Sequence, residues 1–374
     1  MPARFRLGVL AAGSFALLAF NDFLTALLAL YLILLCHIAI GFIGRAAAKS
    51  KRFRMWMLLA LSLAPLVLLK YQGLLGIDAL QRSGALPIDL GALAAPIGIS
   101  YLTFKAIMYI VEAGRGGLPS LSLPALAAYI VFAPSATSGP IDQPKRFIEQ
   151  LLDPGKLDLD RVVYAMYRIA TGVIFKFVIA DTLSEVSDAF VADALAVSLK
   201  RCLYFGPYYS FWLYFDFAGY SHIAIGAAYL FGVKCMENFA APLLRPNISE
   251  FWRAWHISLT TFLRTYIFLP CAYRWSKTLG PQRAAYAATV LAFAVCGVWH
   301  GDGLNFLLWG LYHGMLLSLH QAFLYNTRKV KFFAKLRKKR WLAVPAWAFT
   351  FVLVSLGWFP FAFSITELRT IIVR

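Results

Sequence analysis

An uncharged apolar run near the start of the chain constrains its fold most. Residues 23–44 read FLTALLALYLILLCHIAIGFIG and contain no Asp, Glu, Lys or Arg. A helix rises about 1.5 Å per residue, so about 20 such residues cross the hydrocarbon core of a bilayer. The run therefore predicts a transmembrane helix. A shorter run at 7–20 predicts a second one, joined to the first by the polar pair Asn21-Asp22.

Composition and charge extend this prediction to the whole chain. Of the 374 residues, 60% are hydrophobic and only 14% are charged, which excludes a soluble protein. The net charge is +18, but the basic residues gather at the ends of apolar segments. The positive-inside rule places such clusters in the cytoplasm, and nucleic-acid binding is disfavoured because no soluble domain presents them. The two clusters are Arg45, Lys49, Lys51, Arg52 and Arg54, and Arg328, Lys329, Lys331, Lys335, Arg337, Lys338, Lys339 and Arg340.

The basic clusters also set the predicted topology. Between them, six crossings return the chain to the cytoplasm, and a last span follows near 341–363. The six crossings lie at about 55–75, 85–111, 162–180, 204–232, 284–299 and 304–325. The connection at 182–203 carries acidic residues and is expected outside, whereas 141–161 and 233–283 are rich in Lys and Arg and are expected inside. Residues 1–374 are predicted to form one multi-pass domain in the cytoplasmic (inner) membrane.

Two apolar segments do not fit as spans. Residues 119–134 are short and bounded by prolines, and residues 251–273 carry Arg253, His256 and Arg264 among aromatic side chains. Segments of this kind lie in the interface or re-enter the bilayer against protein or a water-filled cavity. They indicate an internal chamber.

Several polar side chains fall inside or beside the apolar segments, where ionisable groups are costly and are functional candidates. His300 follows Trp299 near the outer end of its span, and His256 follows Trp255. A neutral imidazole suits the removal of a proton from a hydroxyl near pH 7. For an isolated membrane histidine, or for Asp216, a hydrogen-bonded structural role is the competing interpretation. The predicted lining of a substrate tunnel is Trp299, Trp255, Trp252, Asp216, His313 and Asn305.

The cysteines give no sign of a disulfide framework or a metal site. The five are scattered along the chain, and no two form a C-x-x-C pair. We therefore expect neither a metal nor a bound cofactor. The cysteines are Cys36, Cys202, Cys235, Cys271 and Cys296.

Five motifs, in one order, resemble the membrane-bound O-acyltransferase (MBOAT) family over most of the chain. TSGPID followed by RF is most similar to D-alanyl transfer proteins of the DltB type, and the other motifs are shared with O-acetylation proteins of the AlgI type. The motifs are PIGISYLTFKAIMYIVEAGRG (96–116), FAPSATSGPIDQPKRF (132–147), LYFDFAGYSHIAIGAAYLFG (213–232), NFAAPLLRPNISEFWRAWHISLTTFLRTYIFLP (238–270) and GVWHGDGLNFLLWGLYHG (297–314).

The resemblance implies a fold and a pair of site residues. The family's invariant histidine corresponds to His300 through W-H-G, and its second polar position corresponds to His256 through W-x-x-W-H. The implied fold is all-α, a ring of about 9–11 transmembrane helices with re-entrant or interfacial helices around a central tunnel.

The resemblance also implies a reaction. An acyl group, D-alanyl on the phosphopantetheine thioester of an acyl carrier protein, would enter from the cytoplasm and pass to a hydroxyl of an extracytoplasmic glycan or teichoic-acid-like polymer. His300 would act as the general base and His256 would orient or stabilise the intermediate. A periplasmic or extracellular acyl-transfer partner would fit the same scheme. The candidates for carrier or donor binding are Lys145, Arg146, Arg253 and Arg264, with a purely topological role as the alternative.

Two other interpretations of the same residues stay open. The chain would be an O-acetyltransferase for an exported polysaccharide if the donor is acetyl-CoA, which also suits a basic entrance. A membrane transporter of an envelope precursor would use buried polar residues for passage. The pairing of W-H-G with W-x-x-W-H favours an enzyme over a transporter.

Overall fold

The computed structural model describes residues 3–44, 48–77, 83, 96, 98–118, 121–184, 199–336 and 339–373. These residues form helices and connecting loops without a β-strand, as predicted for an all-α membrane protein. Four of the described helical segments are long and apolar enough to cross a bilayer by length and composition, namely Phe23–Gly44, Ser50–Lys70, Leu159–Ser184 and Arg340–Ala362. The chain divides into two compact units, Met1–Gly172 with Tyr220–Met236, and Val173–Gly219 with Glu237–Arg374.

The helices follow the predicted segments in order. They are α1 (Ala3–Asn21), α2 (Phe23–Gly44), α3 (Ala48–Lys70), α4 (Ile99–Arg115), α5 (Leu123–Ile130), α6 (Pro144–Leu152), α7 (Leu159–Val173), α8 (Leu199–Leu230), α9 (Ile248–Ala254), α10 (Ile257–Leu263), α11 (Leu269–Leu279), α12 (Pro281–His300), α13 (Leu304–Thr327), α14 (Lys331–Leu336), α15 (Ala343–Ala362) and α16 (Ile365–Val373). Two π-helical turns, Ile174–Ala180 after α7 and Arg264–Phe268 after α10, continue their helices.

Two of the predicted segments are only partly described by the structure, and one helix starts earlier than predicted. The span predicted at 85–111 begins, as far as described, at Ile99, and most of its first half lies outside the described residues, as does most of the predicted acidic connection at 182–203. Lys51, Arg52 and Arg54 lie in the first turns of α3 and not in a loop. Their long side chains can place the charge at the interface while the stem stays on the helix, so the helix starts earlier than the apolar run.

The two segments predicted to re-enter differ from each other. In the first, α5 has 8 residues and is too short to cross a bilayer, as predicted. In the second, the chain breaks at His256, but helical structure then continues from Ile257 to Leu279. The helix extends beyond the predicted segment 251–273, because no helix-breaking residue stops α11 before Gly280.

The first unit is held by a face of small residues on α2. Ala26, Ala29 and Ala39 are almost completely buried, and the Cys36 thiol lies 3.9 Å from the Ala106 carbonyl of α4. Helices in lipid gain little from the hydrophobic effect against each other, so small side chains that let backbones approach closely stabilise the packing.

The second unit has a tight helical hairpin of α12 and α13. A Cβ atom added at Gly297 would lie 2.2 Å from the Phe306 carbonyl oxygen, and one added at Gly310 would lie 2.2 Å from that of Phe293. Any side chain at either position would force the helices apart. The two glycines therefore fix how α13 faces the end of α12, where His300 is the last residue.

Candidate active site

The break between α9 and α10 places His256 in a backbone conformation that non-glycine residues rarely adopt. Its φ is 43° and its ψ is 56°, in the left-handed region, and the residue is 4% exposed. Such a conformation costs free energy and persists only where surrounding contacts impose it. Strained residues of this kind concentrate at functional sites, so the outlier marks His256 as a functional candidate.

Hydrogen bonds on both sides of the break impose this conformation. The Asn238 carbonyl accepts from the Ile257 amide at 2.9 Å, and the Asn238 side-chain oxygen accepts from the Ser258 hydroxyl at 2.6 Å. On the other side, the side chain of Asn247 accepts from the Glu250 amide and caps α9. The chain is thereby held before and after His256, and the side chain has a fixed direction.

The imidazole of His256 lies among aromatic rings. Its ring centroid is 4.6 Å from that of Phe217 in an edge-on contact. Within the described part of the chain, Nε2 has no hydrogen-bond partner although it is buried. Buried polar atoms are nearly always bonded, so an unbonded one is a sign of a reactive group or a ligand-binding atom.

His300 ends α12, and ring contacts through Trp309 and Trp358 link it to Trp255, the residue before His256. Its ring contacts Trp299 at 4.5 Å, Trp309 at 5.0 Å and Phe361 at 5.0 Å, measured between centroids. The residue is half-buried, so the imidazole is enclosed by aromatic edges without being sealed. The structure thus brings the two predicted catalytic histidines into one aromatic cluster.

His313 belongs to the same cluster but is completely buried. The Trp252 indole donates to its Nδ1 at 3.4 Å, and its ring centroid is 5.3 Å from that of Trp309. Since Nδ1 accepts, the ring proton is assigned to Nε2. A Cβ atom added at Gly357 would lie 2.4 Å from Nε2, so a glycine is required there to make room for the ring. His313 therefore holds two tryptophans in place and does not face an open space.

Two of the predicted lining residues, Trp255 and Asn305, are held by contacts in the interior of the second unit. Trp255 is 5% exposed and packs against Phe251 and Trp358, so it fills the interior. Asn305 is also nearly buried and donates to the Pro360 carbonyl at 3.2 Å. Packing or hydrogen bonding thus fixes both side chains, and their place in a tunnel stays a prediction.

Asp216 forms an ion pair, for which the sequence suggested an arginine partner on another helix, but the partner is a lysine. Its carboxylate accepts from the ammonium of Lys176, which lies in the π-helical turn after α7. The signal was available, because a lysine in the apolar run IFKFVIA is as unusual in a membrane helix as an aspartate. π-Helical turns inside helices are frequent at functional sites.

A cavity of about 610 Å³ lies beside the histidine cluster in the second unit. Trp252, Phe293 and Cys296 line it, and Cys296 is one helical turn before His300 on α12. Charged and polar side chains also line it, namely Asn247, Ser249, Glu250, Arg253, Arg264, His320 and Gln321. The structure therefore brings Arg253 and Arg264 to one cavity that also reaches Trp252, the hydrogen-bond donor of His313.

The other two basic candidates belong to the first unit. Lys145 and Arg146 lie at the start of α6, and the Arg146 guanidinium donates to the Lys234 carbonyl at 3.0 Å. Arg146 therefore has a structural bond as well as a charge. The structure therefore brings together only Arg253 and Arg264 of the four basic candidates, in the cavity of the second unit.

Comparisons with known proteins agree with the motifs. The sequence profile described as MBOAT, membrane-bound O-acyltransferase family, matches residues 42–359. The probable alginate O-acetylase AlgI of Pseudomonas syringae pv. tomato is 34% identical over 331 residues, which is 85% of this chain and 60% of that protein. The chain thus spans about three fifths of the length of this alginate relative.

Two further relatives carry different names at the same identity. The teichoic acid D-alanyltransferase of Bacillus subtilis is 34% identical over 276 residues, which is 71% of this chain and 68% of that protein. The peptidoglycan O-acetyltransferase of Helicobacter pylori is 34% identical over 234 residues, which is 62% of this chain and 42% of that protein. Identity alone therefore does not separate the acyl groups or the acceptors.

Proposed function

The chain belongs to the membrane-bound O-acyltransferase family, and we propose that it passes an activated acyl group from the cytoplasmic side to a hydroxyl of an extracytoplasmic envelope polymer or glycan. The observation that carries the proposal is the cluster of His300 and His256, in which a strained backbone holds one buried imidazole with an unbonded nitrogen. The second observation is the cavity lined by Arg253, Arg264 and Trp252.

The two histidines have different proposed roles. His300, half-buried at the end of α12, takes the proton of the acceptor hydroxyl while its oxygen attacks the thioester carbonyl. His256 stabilises the oxyanion of the tetrahedral intermediate by donating from Nε2. Collapse of the intermediate breaks the carbon–sulfur bond, and the thiolate receives the proton from His300. No covalent acyl-enzyme is required.

The cavity of the second unit supports a phosphopantetheine donor. Arg253 and Arg264 line it together, and a guanidinium pairs with a phosphate through two hydrogen bonds. The apolar residues Phe293 and Cys296 line the same cavity and suit the extended arm of the thioester. A tunnel from this cavity past Trp252 to His300 is part of the proposal.

The proposed donor is a D-alanyl thioester on an acyl carrier protein. Carrier proteins of this type are acidic, and Lys145 and Arg146 at the start of α6 provide positive charge for one to approach. The proposed acceptor is a hydroxyl of a teichoic-acid-like polymer, with a periplasmic or extracellular acyl-transfer partner downstream. The TSGPID motif supports this choice within the family.

O-Acetylation of an exported polysaccharide is the second candidate, and one comparison favours it. The alginate relative from Pseudomonas syringae covers 85% of this chain, against 71% for the D-alanyltransferase from Bacillus subtilis. In this case the donor is acetyl-CoA, whose phosphates would occupy the same arginine-lined cavity.

The test uses purified protein in proteoliposomes with radiolabelled donors. D-Alanyl-loaded carrier protein and acetyl-CoA are offered separately on the donor side, and glycerol-phosphate and alginate oligomers are offered on the other side. We expect labelled acceptor from the carrier protein only. Label from acetyl-CoA alone establishes the second candidate, and transport of unmodified oligomer without label transfer contradicts an enzyme of either kind.

A further inference from the structure

The Lys176–Asp216 pair is a charged site inside the membrane segments that the proposed catalytic machinery does not use. Lys176 lies eight residues before Ser184, the end of its membrane-crossing helical segment, or about 12 Å from that end. That end is predicted to face the outside of the cell. Charged groups at this depth are costly unless water or protein surrounds them.

The pair faces away from lipid. Along the same helical turn the exposed apolar residues are Val173, Ile174, Phe177 and Val178, which mark the lipid-facing side. Lys176 is 28% exposed and is not on that side, where Phe177 is 58% exposed. Lys176 therefore points away from the side that the exposed apolar residues mark, and its charge needs water or protein around it.

Asp216 reaches the same ion pair from α8. Its side chain is 34% exposed, and at about 100° per residue it points about 140° away from the exposed Phe211. The adjacent residues Phe175 and Phe215 pack at 5.0 Å and hold the two helices together at this level. The next residue, Phe217, contacts the ring of His256. The ion pair is thus one residue away from the histidine cluster on α8.

We propose that Lys176 and Asp216 border a water-filled recess that is open to the outside of the cell, and that they form in it an acceptor-binding site for the hydroxyl groups of a polyol or sugar unit. This inference rests on the proposed acyl transfer. An ammonium donates to a hydroxyl oxygen, and a carboxylate accepts from a hydroxyl group. A partly exposed pair can therefore bind two neighbouring hydroxyls through two charge-assisted hydrogen bonds. The pair has no net charge, so it recognises hydroxyls and not an anionic group.

The recess itself is tested by chemical accessibility, independently of acyl transfer. Lys176→Cys and Phe177→Cys are made in a chain whose five native cysteines are replaced by serine, and a negatively charged, membrane-impermeant methanethiosulfonate is added from outside. We expect Lys176→Cys to react at least about 10-fold faster than Phe177→Cys, because only a thiol in water ionises readily. Glycerol or the acceptor oligomer should slow the reaction at position 176.

If Phe177→Cys reacts as fast as Lys176→Cys or faster, the recess at Lys176 is contradicted. Asp216→Cys is the second variant, since Lys176→Cys leaves an unpaired carboxylate and can fail to fold. Reaction of either cysteine at position 176 or 216 from outside supports the recess, and failure of both folded variants to react contradicts it. A recess that reacts but is not protected by glycerol or by the oligomer contradicts the acceptor role.

Kinetics separate binding from structure. In Asp216→Asn and Lys176→Gln we expect the KM for the acceptor to rise about 10-fold, from the loss of one charge-assisted hydrogen bond, with the KM for the donor unchanged. A pair that only stabilises the fold lowers thermal stability and kcat without changing the KM for the acceptor. Glu112→Gln, which breaks the exposed Arg115–Glu112 pair, is the matched control.

The two proposals fail in different ways. If wild-type protein transfers no acyl group to any acceptor, the proposed function fails, and the accessibility measurement still decides whether the recess exists. If wild-type protein is active and both variants keep the KM for the acceptor, the inference about Lys176 and Asp216 fails while the proposed function stands.

Discussion

Buried polar side chains serve different ends in the two units. In the first, the Lys105 ammonium donates to the Ser135 hydroxyl at 3.1 Å and the Ile130 carbonyl at 3.4 Å, and Asp142 accepts from the Met236 amide at 3.0 Å. Burial raises the pKa of the Asp142 carboxyl to about 6. These bonds fix a loop, although the second carboxyl oxygen of Asp142 has no partner among the described residues. In the second unit, the buried Nε2 of His256 has no partner within the described residues either, and there the backbone is strained as well, which leaves this imidazole available for chemistry.

This contrast divides the family motifs. Ser135 and Asp142 belong to FAPSATSGPID, which resembles a functional signature, yet their contacts hold backbone together. The motif containing His256 imposes a strained backbone and leaves a nitrogen free of hydrogen bonds within the described chain. A motif can thus serve the fold or the reaction, and the strained backbone at His256 is what distinguishes the second case here.

The largest expected effect is on His300. His300→Ala removes the proposed general base, and we expect kcat to fall about 10³-fold with thermal stability close to that of the wild type. Acyl transfer in proteoliposomes measures it. His37→Ala, which changes an exposed histidine on α2, is the control and should keep full activity. Near-normal turnover of the His300→Ala protein would contradict the role of His300 as general base.

A smaller loss is expected at His256. Asparagine tolerates the left-handed conformation better than most residues, so His256→Asn keeps the break between α9 and α10 while removing the imidazole. We expect kcat to fall about 10²-fold from loss of oxyanion stabilisation, with a normal melting curve. Loss of stability in place of kcat would show that His256 is structural, like the polar groups of the first unit.

The opposite pattern is expected for Lys105. Lys105→Met leaves the Ser135 hydroxyl and the Asp142 carboxyl without a buried ammonium. We therefore expect the free energy of unfolding to fall by about 2 kcal/mol. Activity per folded molecule should not change. Denaturation in detergent and turnover of the folded fraction measure both quantities, and Lys156→Met, which removes an exposed charge of the same unit, is the control. Lower turnover in the folded fraction would contradict a purely structural role for Lys105.

The smallest effect is expected at the start of α6. Lys145→Gln combined with Arg146→Gln should slow the capture of an acidic carrier protein about 3-fold at low salt, and the difference should vanish as salt rises. The rate of association with a loaded carrier protein measures it. Lys277→Gln, which neutralises an exposed charge on α11, is the control. A salt-independent loss would point to the Arg146–Lys234 hydrogen bond instead.

Much of the fold was predictable because it depends on local composition. Crossing segments such as α2, α7 and α15 follow from apolar runs of bilayer length, since each segment satisfies its own backbone and its transfer to lipid depends on its own side chains. The two histidines were predictable for a related reason, because a polar ring is conspicuous within an apolar segment.

The features of the site that the sequence did not predict depend on contacts between residues that are distant in the chain. Trp255 packs against Trp358, and Asn305 donates to the Pro360 carbonyl, which are contacts that no local pattern indicates. Nothing local pairs Lys176 with Asp216, which are 40 residues apart. The sequence by itself determined which segments cross the membrane and which rings are unusual there. Only the tertiary structure decided which side chains meet, because the packing of helices sets the direction of each side chain.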